Sequence, residues 1–272
     1  MPGASVPADD RGLAYGDGLF ETVLMRAGQP LLWSYHRARL AEGCRRLGIP
    51  MPDTAALDAE LARPGAAALE VLKLIVTRGS GGQGYRVPNA PAPRLLASRR
   101  AFEPCRARWQ EGVCVRVCDL RLGHQPRLAG IKHLNRLENV LARQEWCDPG
   151  IAEGLLADAD GLLVEATSMN VFWRAKGRLW TPPVTRCGVA GTLRAALLDA
   201  GAVAEAELSL EALVEVDALW VANSVQGVWP VHTLLDPRGE TLATWAHADH
   251  DTLQRQGHRL LGYPGSFREE AE

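Results

Sequence analysis

Residues 128–146 read LAGIKHLNRLENVLARQEW. The stretch opens on two small residues, Ala129 and Gly130, and then places a single lysine, Lys132. Beyond it Leu134, Leu137, Val140 and Leu141 recur at three- and four-residue steps, the spacing of one apolar helix face. Asn135 stands at an N-cap position, and Glu138 three residues on completes a capping box. The pattern predicts a turn carrying Lys132 just before an amphipathic helix, with the lysine side chain able to enter a cleft. A lysine taken alone reads as a solvated charge, since lysines are rarely buried without a partner. The rest of the chain decides what this one does.

That chain has 272 residues, enough for one large or two modest domains with real cores. Its 47% hydrophobic and 23% charged content is that of an ordinary globular protein. A formal net charge of -2 gives no electrostatic case for nucleic acid or an anionic membrane as partner. Cys44, Cys105, Cys114, Cys118, Cys147 and Cys187 form no CxxC pair, which predicts reduced thiols in a cytoplasmic protein and no metal. The start MPGASVPADD has no basic-then-apolar leader, and no apolar run approaches the ~20 residues needed to cross a bilayer.

Residues 1–12 are polar with Pro and Gly, and the first ten are expected to be poorly ordered. Residues 20–26 read as a strand, 27–30 as a turn and 31–33 as a returning strand. Ser34 is expected to cap a helix that ends at Gly48, with Leu40, Cys44 and Leu47 facing the core and His36, Arg39 and Gly43 on an adjacent stripe. Asp53 caps a second helix ending near Arg63. Residues 69–76 form an apolar run of buried-strand length, followed by a glycine-rich loop at 79–84 and a strand at 94–98. The mixed stretch 102–111 reads as a linker. Strands expected at 113–120, 153–157, 162–167, 170–174 and 179–181, joined by tight turns, suggest a barrel-like or strongly curved sheet. A helix at 192–200, a strand at 218–222, a helix at 244–261 and a loose FREEAE tail complete the reading.

IKHLNRLENVL around Lys132, together with RGSGGQGY at 78–85, resembles the fold-type IV pyridoxal-phosphate enzymes, the family of the branched-chain and D-amino acid aminotransferases. The resemblance covers nearly the whole chain. It implies an α+β protein of two domains: a small N-terminal α/β sandwich over 1–103, a linker over 104–111, and a larger barrel-like C-terminal domain over 112–272 carrying the Schiff-base lysine. It also implies pyridoxal 5'-phosphate as cofactor and a homodimer.

Such a cofactor needs a lysine to bind it, an acid at its pyridine nitrogen and a cradle for its phosphate. The resemblance assigns Lys132 to the first role. It assigns Glu165, in LLVEATSMNVFW, to the second, with Asn170 helping to hold Glu165 or its loop. In HRARLAEGCRRL the family pattern of His, two residues, Arg, Leu falls on His36, Arg39 and Leu40. Arg39, rather than Arg37, Arg45 or Arg46, is thereby the phosphate partner, a role that suits the arginine fork. CGVAGT at 187–192 is a small-residue turn before a helix, able to present N–H groups to an anion. By resemblance, Val189 and Ala190 contact the phosphate there, and Ser224 adds a hydroxyl. RGSGGQGY lacks the Walker lysine and the GxGxxG setting of a nucleotide loop. A flexible loop over the substrate mouth is expected instead, with Arg78, Tyr85 and Arg86 as contacts for a dicarboxylate substrate.

Thr22, in GLFETV, stands where the family's aminotransferases often hold glycine and a lyase branch holds threonine. Leu137 stands where branched-chain enzymes carry a tyrosine. With the KHLNRLE wording, these residues imply a lyase that releases pyruvate from an enolpyruvyl ether and leaves an aromatic amine. Lys132 would act as general base, with Thr22 or Lys132 as proton donor. Two alternatives stay open: an aminotransferase on the same fold, and a protein that binds the cofactor without catalysis.

Overall fold

The computed structural model describes residues 5–246 and 251–264. The chain divides into two compact units, one of Met1–Glu103 with Ile131–Arg136 and the other of Pro104–Gly130 with Leu137–Glu272. Lys132 therefore belongs with the N-terminal unit, not with the C-terminal domain expected to carry it.

The first unit is organised from Asp10. Its carboxylate accepts from the Gly12 N–H at 2.8 Å, the Thr77 hydroxyl at 2.9 Å and Arg94 Nε at 3.1 Å. Asp10 is fully buried and caps α1 (Arg11–Tyr15), so order reaches into the first ten residues. β1 (Gly18–Arg26), β2 (Gln29–Pro30), β3 (Leu69–Thr77) and β4 (Arg94–Ala101) form an antiparallel sheet in the order β2-β1-β3-β4. Ala27 and Gly28 make the β1–β2 turn with φ of 47° and 78°, the left-handed pair that a two-residue hairpin loop requires. The returning strand is only two residues long. Trp33 already begins α2 (Trp33–Leu47), and Ser34 lies inside the helix rather than capping it. Gly48 closes α2 in the left-handed region, as expected. Asp53 caps α3 (Thr54–Ala62) through the Ala55 N–H at 3.1 Å.

Alternation along β1 sends Leu19, Glu21 and Val23 to one face and Phe20 and Thr22 to the other. α2 packs on the first face, where a Cβ on Gly43 would fall 2.7 Å from Leu19. Lys132 is aligned by β1: the Phe20 N–H donates to Lys132 O at 2.9 Å and the Leu134 N–H to Gly18 O at 3.0 Å. Asn135 is no N-cap. Its side-chain amide donates to Gly16 O at 3.0 Å and fastens the lysine segment to the turn before β1.

The second unit holds a nine-stranded sheet in the order β10-β9-β8-β11-β12-β5-β6-β7, with β13 paired to β12. Its strands are β5 (Val113–Leu122), β6 (Ile151–Asp158), β7 (Leu163–Ala166), β8 (Asn170–Ala175), β9 (Arg178–Thr181), β10 (Ala204–Glu205), β11 (Ala218–Asn223), β12 (Gly227–Leu235) and β13 (Thr241–Thr244). β5 runs parallel to β6 and to β12, with register shifts in both pairings that bend the sheet into a curl. The supposed linker is instead α4 (Arg106–Gln110), part of this unit. Trp109 is its anchor, buried with Nε1 donating to Gln226 O at 2.7 Å.

α5 (Leu137–Arg143) is a seven-residue helix, shorter than its apolar pattern suggested. Leu137, Val140 and Leu141 are exposed, and the buried residue is Ala142. Glu138 accepts from the Gly123 N–H at 2.9 Å instead of closing a capping box. A core cluster of Cys118, Leu122, Ala142, Trp146, Leu156, Val164 and Cys187 lies beneath. α6 (Thr192–Asp199) and α7 (Asp251–Leu261) complete the unit. Residues 247–250 of the expected last helix and the FREEAE tail lie outside the described residues. Among those described, no helix is long and apolar enough to cross a membrane.

Candidate active site

In the first unit, Lys132 Nζ lies 4.4 Å from the centroid of the Phe20 ring. Thr22 is two residues along on the same strand face, partly exposed. On the opposite face Glu21 is buried against α2. Arg39 Nε donates to Glu21 Oε1 at 2.8 Å and Nη2 to Oε2 at 2.5 Å, while His36 Nδ1 lies 2.6 Å from Oε2. Burial alone would raise the Glu21 pKa, but the charge of Arg39 and the hydrogen bonds from Arg39 and His36 outweigh it and hold it at about 2. Burial pushes His36 down in spite of Glu21, and its Nδ1–H donates to the carboxylate. Of the four arginines on α2, Arg37 is exposed, and Arg45 and Arg46 pair with Glu42 on the surface. Only Arg39 among them is turned inward and fixed.

In the second unit, Glu165 is the third residue of β7, paired with Leu156 of β6, and is buried rather than standing at an open strand end. Its Oε2 accepts from the Val189 N–H at 2.9 Å and its Oε1 from Asn139 Nδ2 at 3.3 Å. Asn170, the first residue of β8, donates to Val189 O at 2.9 Å. Asn170 thus grips the loop that grips Glu165. Gly188 in that loop has φ 82°, and a Cβ there would fall 2.6 Å from Val164 Cγ1. The sequence signal for this packing is the CGVAGT run itself.

Two expectations change in detail. The Val189 N–H is committed to Glu165, and the Ala190 N–H donates to Gly130 O at 3.0 Å. The loop leads directly into α6, whose first turn opens with Thr192 and Leu193, both buried. Gly191 is the N-cap and supplies no side-chain cap. Ser224 sits nearly buried in the β11–β12 turn, beside Asn223, whose side chain ties that turn to Ser168 O at 3.3 Å.

Arg78, expected at the substrate mouth, has its donors committed within its own unit. It is buried, its guanidinium forks onto Asp17 at 2.7 and 2.9 Å, and its other N–H groups reach Gly48 O and Leu47 O, both at 2.7 Å. The loop at 79–86 is also braced: Arg11 donates to the carbonyls of Gly81, Gly84, Tyr85 and Arg86. Tyr85 is 87% exposed and Arg86 is exposed, so both present side chains to solvent. Asn139, part of the IKHLNRLENVL run but given no role there, joins the site through Glu165. His124, Asp158 and Asp160 have metal-binding donors, but Arg186 lies 3.2 Å from Asp158 and 3.5 Å from Asp160 and supplies the positive charge there.

These residues fit pyridoxal phosphate. A buried carboxylate oriented by two neutral donors suits a protonated ring nitrogen, and a helix start capped by glycine suits a phosphate. Comparison with known proteins agrees. The amino-transferase class IV family model matches residues 18–234. An aminodeoxychorismate lyase of Vibrio harveyi is 34% identical over 251 residues, 88% of this chain and 91% of the relative. The crystal structure of 4-amino-4-deoxychorismate lyase from Pseudomonas aeruginosa superposes with a TM-score of 0.85 at 44% identity, covering 95% of this chain and 96% of that one. A bifunctional aminodeoxychorismate lyase / D-amino acid transaminase of Mycobacterium tuberculosis is 27% identical, with 84% of this chain and 85% of the relative covered.

Proposed function

Because the chain belongs to the amino-transferase class IV family, we propose that it is a pyridoxal-phosphate-dependent lyase. It converts 4-amino-4-deoxychorismate to 4-aminobenzoate and pyruvate, a step towards folate. The observation that carries the lyase reading is Thr22, on the same strand face as the Phe20 ring that Lys132 Nζ approaches to 4.4 Å. A hydroxyl there supports elimination, because a leaving oxygen needs a proton donor. The names and identities of the Vibrio and Pseudomonas relatives support the same reading.

Lys132 would hold the cofactor. Glu165 would pair with its ring nitrogen, with Asn170 holding the loop before α6. Arg39, oriented by Glu21, would be a partner for its phosphate, as would the α6 start and Ser224. When bound, pyridoxal phosphate supplies an electron sink for charge developing on the carbon that bears the substrate amine. Lys132 Nζ removes the proton from that carbon. Thr22 or the protonated Lys132 then gives a proton to the enolpyruvyl oxygen as the C–O bond breaks. Pyruvate leaves, and the ring that remains is aromatic, which makes return unfavourable. Tyr85 and Arg86 are the proposed contacts for substrate carboxylates.

A homodimer is part of the proposal. The exposed Leu137, Val140 and Leu141 of α5, with Leu137 at 74%, form an apolar face suited to a second copy. Six unpaired cysteines support a cytoplasmic setting. The test is turnover of enzymatically made aminodeoxychorismate, scored for aminobenzoate and pyruvate. Borohydride reduction and peptide mapping should locate the cofactor on Lys132. Efficient transamination of D-alanine or leucine with no aminobenzoate formed would replace the lyase by an aminotransferase.

A further inference from the structure

Glu165 leaves β7 into a turn that is tied at several points. The Thr167 N–H donates to Gly154 O at 3.0 Å and the Ala166 N–H to Met169 O at 2.7 Å. The hydroxyls of Thr167 and Ser168 both donate to the buried carboxyl of Glu153. The position of the Glu165 backbone is thereby set. The direction of its carboxyl group is a separate matter, because a glutamate side chain has three rotatable bonds. Two donors address it from different elements: the Val189 N–H on Oε2, and Asn139 of α5 on Oε1.

Asn139 does more than touch Glu165. The same Nδ2 lies 3.1 Å from Thr167 O, so one amide group, with its two N–H bonds, spans from the carboxylate to the turn that follows it. That span fixes the carboxyl plane relative to its own backbone. We propose that Asn139 is the positioning residue that aims Glu165 at the pyridine nitrogen of the cofactor. The proposal rests on the reading that Glu165 faces this nitrogen. It adds a role for a residue of the lysine segment that the resemblance left without one: a determinant on α5, acting through the acid.

The test compares two cofactors. Cofactor-free protein is titrated with pyridoxal phosphate and, separately, with its 1-deaza analogue, in which carbon replaces the ring nitrogen. Binding is followed by absorbance. Asn139→Ala should weaken pyridoxal phosphate about tenfold, the scale of one hydrogen bond to a charged group. It should change affinity for the deaza analogue little, since that ring offers Glu165 nothing to aim at. Asn139→Gln, which keeps the amide donor, should recover part of the loss. Equal weakening of both cofactors by Asn139→Ala would make Asn139 a brace of the turn only, and unchanged binding of both would remove it altogether. Glu165→Gln distinguishes a deeper failure. If that variant also treats the two cofactors alike, the reading of Glu165 is wrong; if it discriminates and Asn139→Ala does not, only the present inference falls. Should Asn139→Ala not fold, Asn139→Asp carries the same comparison, with a carboxyl of the same size replacing the amide donor.

Discussion

Alternation along β1 gives Glu21 and Thr22 opposite surroundings, although they are neighbours in sequence. Glu21 completes a buried cluster with Arg39 and His36. Replacing it by glutamine leaves the Arg39 charge without its counterpart, a change that commonly costs about 3–5 kcal/mol when a buried pair loses one member. Urea unfolding of Glu21→Gln should show a lower midpoint, and titration of its apo-protein with pyridoxal phosphate a weaker affinity, because Arg39 is no longer oriented. Thr22→Gly should act on turnover instead of on cofactor binding. The residue lies on the other face and takes no part in the Glu21 cluster, so cofactor occupancy read by absorbance should stay near that of the wild type. Pyruvate release should fall by about 10²–10³, the usual effect of removing one well-placed donor at a reacting oxygen. Wild-type turnover in Thr22→Gly would leave Lys132 as the proton donor.

At the scale of elements, the start of α6 depends on a glycine. A Cβ on Gly191 would fall 1.9 Å from Asn170 Oδ1, while Asn170 holds Val189 O at 2.9 Å. Gly191→Ala must therefore push Asn170 or the helix start aside. The expected result is a loss of cofactor affinity in Gly191→Ala that is non-additive with Asn170→Ala: the double variant should bind no worse than Asn170→Ala alone, since the clash has one target. Strict additivity would mean that the two positions are not coupled. Elements of this kind were legible where one local rule acted unopposed. Asp53 and Gly48 mark α3 and α2 by their capping chemistry, and the run at 69–76 has the length and composition of a buried strand. The reading failed where a residue found a distant partner. Asn135 bonds Gly16 across more than a hundred residues, and Glu138 bonds Gly123, so neither was available to start a helix. β12, for which the sequence reading names no strand, runs between β11 and β5 although Pro230, a residue that disfavours central strands, lies within it. The site shows the same division. Lys132, Glu165, Arg39 and Asn170 sit in recognisable words with a role attached, whereas Asn139 shares the word of Lys132 but acts only through its distant contact with Glu165.

For the whole molecule, acid stability follows from groups buried in both units. His258 of α7 accepts from the Val228 N–H at 3.1 Å through Nε2 and donates through Nδ1 to Pro264 O at 2.8 Å, so it must stay neutral in the fold. Burial pushes it down to about 4, the backbone bonds only partly opposing. Burial, with Arg136 and Lys132 adding, likewise pushes His133 to about 4. A histidine whose folded pKa lies below its unfolded value of about 6.5 leaves the unfolded chain holding more protons, so stability falls as pH drops from about 6.5 to about 4. For His258 the full loss is about 3 kcal/mol. Glu21, held at about 2, has the carboxylate sign: its contribution is present above the unfolded value of 4.5 and is lost as pH falls through 2. Glu153, raised chiefly by burial, works the other way and returns some stability as pH falls towards 4.5. Urea midpoints measured from pH 8 to pH 3 should therefore decline in two stages, the first below pH 6.5 from the histidines and the second below pH 4.5 from Glu21. His258→Gln keeps a donor and an acceptor without the titration. It should begin less stable at pH 8 and lose about 3 kcal/mol less across the first stage, with the second stage unchanged. A first stage of equal depth in His258→Gln and wild type would show that His258 is not the group being protonated.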